Sequence, residues 1–365
     1  MITQHFSYRD PESYPLQRLG DPSRLLFFDI ETTGFAAASS TLYLIGALWR
    51  EPETDSWHLV QYFADSLQAE AEVLSAFFAL LDRFDTLVHF NGDGFDLPYL
   101  TRRCALLGLP CSFEALQSID LYKRMKPCRR ILGLENLKLK SLERFLGIDR
   151  EDRYSGGELI EVYQRYLRTA SPELRELLLL HNREDIRNMP GILPILQYPD
   201  LLSGTFSCRE SRVFCRTDLF GREQPRLELT LQGAAEVPLP VEWESALAGM
   251  RLEGGLLRLQ TELLSGRLRH YYPNYKDYYY LPQEDRVIHK SIGVFVDPEA
   301  RQKATKENCF AAREGLFLRQ PEGLFLPDFR TAPKARECYA ELTPALFQDP
   351  GAVTELVRYY LNSKK

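Results

Sequence analysis

The feature that most restricts what this chain can become is LLFFDIETTG at residues 25–34, an apolar run that carries two carboxylates, Asp29 and Glu31, near its end. The run reads as a buried strand. Residues i and i+2 of a strand face the same side, so both acids point at one place. Two like charges held that close in a poorly solvated setting disfavour joint ionisation unless a cation lies between them. A divalent metal is the natural occupant. Taken alone, Asp-x-Glu is more often a pair of solvated acids at a strand end, so the reading turns on whether further ligands follow.

Two more segments supply them. In TLVHFNGDGFDLPYL, residues 86–100, an apolar stretch from Leu87 to Phe90 meets the turn residues Asn91, Gly92, Asp93 and Gly94. A helix is predicted to start near Phe95 or Asp96 and to run through Leu107, with Pro98 tolerated in its first turn. Asp96 then stands at a strand-to-helix junction, where an Asp also serves as a cap. Asp93, between two glycines, reads as a turn residue. In SPELRELLLLHNREDIRNM, residues 171–189, Ser171 is the expected N-cap and Pro172 the first helical residue. Steps of three and four put Leu174, Leu178, His181 and Asp185 on one inward face, with His181 and Asp185 one turn apart. A carboxylate there is costly unless hydrogen-bonded, paired or metal-bound, and a His–Asp bond closing a core is the competing account. Arg183, Glu184 and Arg187 fall on the solvated side.

Together the three segments resemble the DEDD exonuclease superfamily of the ribonuclease H-like fold. Its first motif is Asp-x-Glu, here Asp29 and Glu31; its second is an Asp after Asn-x3-Phe, here Asn91, Phe95 and Asp96; its third is an Asp preceded by His or Tyr, here Asp185 and His181. The chain also looks similar to the YprB-like ribonuclease H-like group through SGGELIEVYQRY and HNREDIRNM, and the resemblance covers about the first 200 residues. One departure is that three residues separate His181 from Asp185, the spacing of the family's Tyr-type branch, whereas the His-type branch has four. The resemblance implies a 3′-to-5′ exonuclease in which Asp29, Glu31, Asp96 and Asp185 are metal ligands. Asp29 would bridge two ions, Glu31 and Asp185 would complete one site, and Asp96 would hold the second ion directly or through water. It further implies His181 as proton acceptor, backbone groups of Thr32, Thr33 and Gly34 meeting the terminal nucleotide, and Asn91 and Phe95 near it.

Ligand chemistry points the same way. Hard carboxylate oxygens with no cysteine nearby favour Mg²⁺ or Mn²⁺ over zinc. Two such ions, about 3.5–4 Å apart, can clamp a scissile phosphate, one preparing the attacking water and the other stabilising the leaving oxygen. A neutral histidine near pH 7 is able to take the proton of that water.

With 365 residues, 44% of them hydrophobic, the chain is long enough for two domains. The net charge of −6 argues against an extended grip on a duplex, because nonspecific affinity grows with the number of phosphates neutralised. Residues 201–365 hold 23 Lys+Arg and 22 Asp+Glu, so the acid excess lies in the first 200 residues, where bound cations would reverse the local field. Short contacts with a nucleic-acid end fit that balance. No apolar run approaches the ~18 residues of a membrane span, and MITQHFSYRD lacks a secretory pattern, so a cytoplasmic protein with no membrane partner is expected. Seven cysteines without a Cys-x-x-Cys pair read as reduced thiols.

The expected fold class is α/β: a ribonuclease H-like mixed sheet flanked by helices over residues 1–200, followed by a smaller β-rich α+β domain over residues 201–365 that positions substrate. Candidate strands are Leu25–Ile30, Thr41–Arg50, Trp57–Ala64, Thr86–Phe90 and Ser118–Leu121, with helices at Ser66–Phe84 and Leu134–Leu146. Asp120 reads as structural or capping. Arg129, Arg130, Lys138, Lys140 and Arg144 read as a solvated face, or else as a rim that contacts phosphate. Three prolines in MPGILPILQYPD should break the third-motif helix at a domain boundary near residue 200. Beyond it, strands are expected at Val213–Cys215, Arg226–Leu231, Leu256–Glu262 and Arg267–Tyr271, with a hairpin turn in LSGR at 264–267. The six tyrosines of HYYPNYKDYYYLP at 270–282 suit the interior and edge of a sheet better than a single-strand-binding platform. Two other functions fit the same fold: a catalytically silent nucleic-acid-binding protein and a structure-selective endonuclease. DNA and RNA are both open as substrates.

Overall fold

The computed structural model describes residues 1–10, 13–51, 53–217 and 220–363, and the chain divides into two compact units, Met1–Pro199 and Asp200–Lys365. The first unit is built on six strands, β1 (Ile2–Tyr8), β2 (Leu25–Thr32), β3 (Leu42–Glu51), β4 (Ser56–Phe63), β5 (Thr86–His89) and β6 (Gln117–Asp120), in the order β1-β4-β3-β2-β5-β6. Strands β1, β4, β3 and β2 pair antiparallel, while β5 and β6 extend the other edge in parallel. The helices are α1 (Glu70–Leu81), α2 (Asp96–Leu107), α3 (Leu121–Met125), α4 (Leu139–Leu146), α5 (Gly156–Thr169) and α6 (Pro172–Ile192), and α7 (Gln197–Ser203) spans the division between the units.

Strand β2 is central because Leu25 to Phe28 are buried on both faces. On one face Phe28 meets Phe77 of α1, with 5.4 Å between ring centroids, and Tyr99, Leu100 and Cys104 of α2 join the same core. The other face is covered by α6, which lies on β2, β3 and β4. That approach requires Gly46, the register partner of Asp29: a Cβ there would stand 2.0 Å from Ile186 Cδ1 and 2.3 Å from Asn182 Oδ1. Gln61 on β4 fixes the helix further, donating to Leu179 O at 2.9 Å and to Asn182 Oδ1 at 3.0 Å.

Several elements differ from the expectations above. Strand β1 went unrecognised, although Ile2, Gln4, Phe6 and Tyr8 alternate inward. Helix α4 begins at Leu139 and not at Leu134, because the Asn136 side chain accepts from Lys138 N–H at 3.0 Å and from Ser141 Oγ at 2.7 Å, a local turn that competes with the helix. Pro190 sits inside α6, which continues to Ile192. The burial of Met189, Ile192, Leu193, Ile195 and Leu196 holds the chain helical across a residue that lacks an N–H.

The second unit carries β7 (Ser207–Thr217), β8 (Glu223–Gln232), β9 (Val241–Glu244), β10 (Ala248–Glu253), β11 (Leu256–Tyr271), β12 (Tyr278–Leu281), β13 (Arg286–His289), β14 (Gln302–Lys303), β15 (Phe310–Gln320) and β16 (Cys338–Glu341), with helices α8 (Lys290–Gly293) and α9 (Pro350–Asn362). All its ladders are antiparallel. The hairpin expected in LSGR does not form. Strand β11 runs straight through it, paired with β8 and β10 in its first half and with β15 in its second, and Gly266 at φ +139 faces Gly315. Glycine here lets one long strand change partners, which is its other use inside a sheet. The tyrosine run forms β12 and its approach: Tyr272 stacks on Tyr278 at 5.2 Å, Arg301 covers the ring of Tyr279 at 4.7 Å, and Tyr280 donates to Asp285 Oδ1 at 2.9 Å. Among the described residues, no helix is long and apolar enough to cross a membrane.

Candidate active site

Asp29 and Glu31 leave β2 on the face that α6 covers, as the period of a strand requires. Asn182 of α6 donates from Nδ2 to Asp29 Oδ2 at 3.2 Å, and His181 Nε2 lies 3.6 Å from Glu31 Oε1. The parallel ladder between β2 and β5 ends at Phe27 and Val88. Past that point the chain turns through Asn91, held at φ +65, into α2, and its first residue Asp96 accepts a hydrogen bond from the freed N–H of Ile30. Asp185 stands one turn beyond His181, with Oδ2 3.6 Å from the imidazole Nε2. Three separate segments thus bring Asp29, Glu31, Asp96, His181 and Asp185 to one place, the carboxyl ends of parallel strands, where open α/β sheets commonly bind ligands.

Their electrostatics are unfavourable without a partner. Burial first, then the charges of Asp96, Glu31 and Asp185, push the Asp29 carboxyl well above its ordinary range, with the Asn182 bond opposing. Burial, then Asp185, Asp96 and Asp152, do the same to Glu31, with Arg150 opposing. Burial raises Asp96 to about 7 against the pull of its backbone hydrogen bonds. The donor set is oxygen-rich with one imidazole, and clustered buried carboxyls of this kind are what a divalent ion relieves. Among the described residues, Glu31, His181 and Asp185 offer donor atoms within 4.8 Å of one another, a set that fits such an ion, with Asp29 and Asp96 beside it.

Sequence reasoning missed the segment that braces this cluster. Asp152 accepts from His181 Nδ1 at 2.7 Å and from Lys140 Nζ at 2.8 Å. Burial works against its charge, yet Lys140, His181 and the Tyr154 N–H hold Asp152 below its ordinary range. Arg150 reaches Asp185 Oδ1 at 2.5 Å and Glu143 Oε1 at 3.0 Å, and these acids keep it protonated despite its burial. Glu184 is not a solvated residue: its carboxylate accepts from the N–H groups of Glu151 and Asp152, both at 2.9 Å, and so pins the segment to α6. Lys140 is engaged with Asp152 and is not a free solvated cation. Only the shortage of partners for buried acids signalled that such residues must exist; no periodicity marks them.

The residues expected near a nucleotide are partly engaged with one another. Thr32 Oγ1 donates to Gly34 O at 2.9 Å, and Thr33 Oγ1 lies 3.2 Å from Thr41 Oγ1. Asn91 is exposed, with its N–H given to Asp120 Oδ1 at 3.0 Å. That bond and the one from Lys123 N–H at 3.2 Å make Asp120 the cap of α3, as expected. Phe95 is half-buried against Tyr99 and meets Phe35 edge-on at 6.0 Å, and Phe35 is 90% exposed. Sequence reasoning did not single out Phe35; a bare aromatic directly after the glycine of the first motif was the available signal.

Comparison with known proteins bears on the fold. The model of the RNase_H superfamily matches residues 26–197, and the mixed sheet with flanking helices is a ribonuclease H-like fold followed by an antiparallel β-rich region. DNA polymerase 1 of Aeropyrum pernix is 38% identical over 71 residues, which are 20% of this chain and 7% of that protein's length. The family B DNA polymerase of Pyrobaculum calidifontis overlays with a TM-score of 0.40 at 16% identity, covering 70% of this chain and 35% of the polymerase. A zinc-bound E. coli ExoI–ssDNA complex overlays with a TM-score of 0.30 at 14% identity, covering 58% and 55% of the two chains.

Proposed function

We propose that this protein is a metal-dependent nuclease that hydrolyses phosphodiester bonds from the 3′ end, a DEDD-type exonuclease of the YprB-like kind that uses two Mg²⁺ or Mn²⁺ ions. The observation that carries the reading is the convergence of four carboxylates from three segments, three of them driven above their ordinary range chiefly by burial. When bound, the ions would supply an activated water and charge stabilisation for the leaving oxygen. The chain's own part is to hold the ligands. Asn182 fixes the Asp29 carboxylate, the Ile30 N–H fixes Asp96, and Arg150 ties down one oxygen of Asp185 so that the other faces the site. Phe35 and Phe95 offer a terminal base an aromatic edge.

A time course on 5′-labelled single-stranded DNA and RNA with Mg²⁺ or Mn²⁺, with Asp29→Ala alongside, tests this. A ladder that shortens from the 3′ end, absent in the variant and on chelation, is the expected result and selects the polymer. Internal cuts in a structured substrate would favour an endonuclease. No cleavage of any substrate with metal bound would favour a silent binding protein.

A further inference from the structure

We infer that His181 is a direct ligand of one of the site's ions through Nε2, making Glu31, His181 and Asp185 a mixed oxygen–nitrogen site that takes Mn²⁺ in preference to Mg²⁺. The inference rests on the nuclease reading only in placing a divalent ion at these residues, and it gives His181 a role other than the proton acceptor implied by family resemblance.

Spacing is the first argument. His181 and Asp185 are four residues apart on α6, so their side chains rise from one face a turn apart, the arrangement by which paired helical residues chelate a metal. Nε2 lies 3.6 Å from Asp185 Oδ2 and 3.6 Å from Glu31 Oε1, and the three donor atoms all lie within 4.8 Å of one another. At 3.6 Å neither carboxylate is within hydrogen-bond reach. Donors of one first-row ion stand about 2.0–2.2 Å from it, hence no more than about 4.4 Å apart, and both histidine–carboxylate separations satisfy that limit.

The surroundings of the imidazole are the second argument. His181 is 5% exposed, and its other nitrogen, Nδ1, is bonded to Asp152 Oδ2 at 2.7 Å. With Nδ1 engaged by Asp152, the nitrogen that faces Glu31 and Asp185 is Nε2, 3.6 Å from an oxygen of each. A carboxylate behind the imidazole is the usual outer partner of a metal-bound histidine. Arg150 completes the arrangement by occupying Asp185 Oδ1 at 2.5 Å, which leaves Oδ2 on the side of Nε2. Imidazole nitrogen suits transition ions, whereas Mg²⁺ prefers oxygen and gives up water reluctantly.

The test is to strip the full chain of metal, titrate it calorimetrically with Mn²⁺ and with Mg²⁺, and record the pulsed electron-spin-echo spectrum of the Mn²⁺ form. The parent should show modulation from a coordinated imidazole nitrogen, and His181→Gln should lose it while binding Mn²⁺ about 10–100-fold more weakly, with Mg²⁺ binding changed far less. Asp152→Asn, which keeps the imidazole, should retain the modulation with Mn²⁺ affinity reduced about tenfold. Absence of nitrogen modulation in the parent, as a protonated His181 paired with the two acids would give, overturns the inference; so does unchanged Mn²⁺ affinity in His181→Gln. Cleavage without modulation would sink the ligand assignment and leave the nuclease reading standing, and modulation without cleavage would do the reverse.

Discussion

Two groups of acids stand at the carboxyl ends of neighbouring parallel strands, and they are built oppositely. In the first, Asp29, Glu31 and Asp96 are raised above their ordinary range chiefly by burial, Asp29 and Glu31 further by the charges of neighbouring acids and Asp96 by that of Asp120. In the second, Asp93 lies beside His89 and Asp120, but Lys123 Nζ reaches it at 2.7 Å and Ser118 Oγ at 2.5 Å. Burial works to raise Asp93 as well, yet those hydrogen bonds and the charges of His89 and Lys123 outweigh it and hold the carboxyl below its ordinary range. Glu31, His181 and Asp185 on the first side and His89, Asp93 and Asp120 on the second each offer donor atoms within 4.8 Å of one another, but Glu31 is raised above its ordinary range while Asp93 is held below it. The difference teaches that charge balance, rather than proximity of acids, separates a candidate metal site from a structural ion pair.

Substitutions that cross the comparison should give the largest effects. Asp185→Asn is expected to lower the cleavage rate by about 10³-fold or more, since metal stabilisation is worth several kcal/mol. Asp93→Asn, in the second group, is expected to stay within about threefold of the parent, there being no transition-state charge for it to stabilise. Parallel rate measurements on a labelled strand check both, and a comparable loss in Asp93→Asn would erase the distinction. Next in size is the bracing of the first group. Arg150→Gln leaves Glu143 and Asp185 without their buried cation and should destabilise the fold by about 3–5 kcal/mol, seen as a lowered denaturant midpoint. Lys123→Ala, at an exposed pair, should move the melting temperature by about 1 °C or less.

What the sequence revealed follows the same physical division. The face of α6 was legible because Ser171 and Pro172 mark its start and Leu174, Leu178, His181 and Asp185 keep one helical period, all of which local rules govern. The burial of Asp29 and Glu31 together was legible from strand alternation. Arg150 and Asp152 were not, because they lie in an irregular segment with no period, and their partners on α6 are 35 and 29 residues away in sequence. The hairpin expected at Ser265 and Gly266 failed for a related reason: whether a glycine turns a chain or only bends it depends on which strands lie beside it, and β8 and β15 are distant in sequence from that choice. Pro190 repeats the lesson, since burial around it prevailed over a strong local breaker.

The most direct test of the central claim is the thermal unfolding of the metal-stripped full chain across pH, with and without Mg²⁺ or Mn²⁺. Without metal, burial favours the protonated carboxyls of Asp29, Glu31 and Asp96, whose protons an unfolded chain releases near pH 4, so the stability Asp96 contributes is full below that pH and is lost as pH rises through about 7. The account predicts a melting temperature several degrees lower at pH 8 than at pH 5.5 without metal, recovered by adding the ion in the parent and in Asp93→Asn, but not in Asp29→Asn. An unchanged melting temperature with and without metal at pH 8 would contradict it, because buried acids that need no ion do not form a cation site.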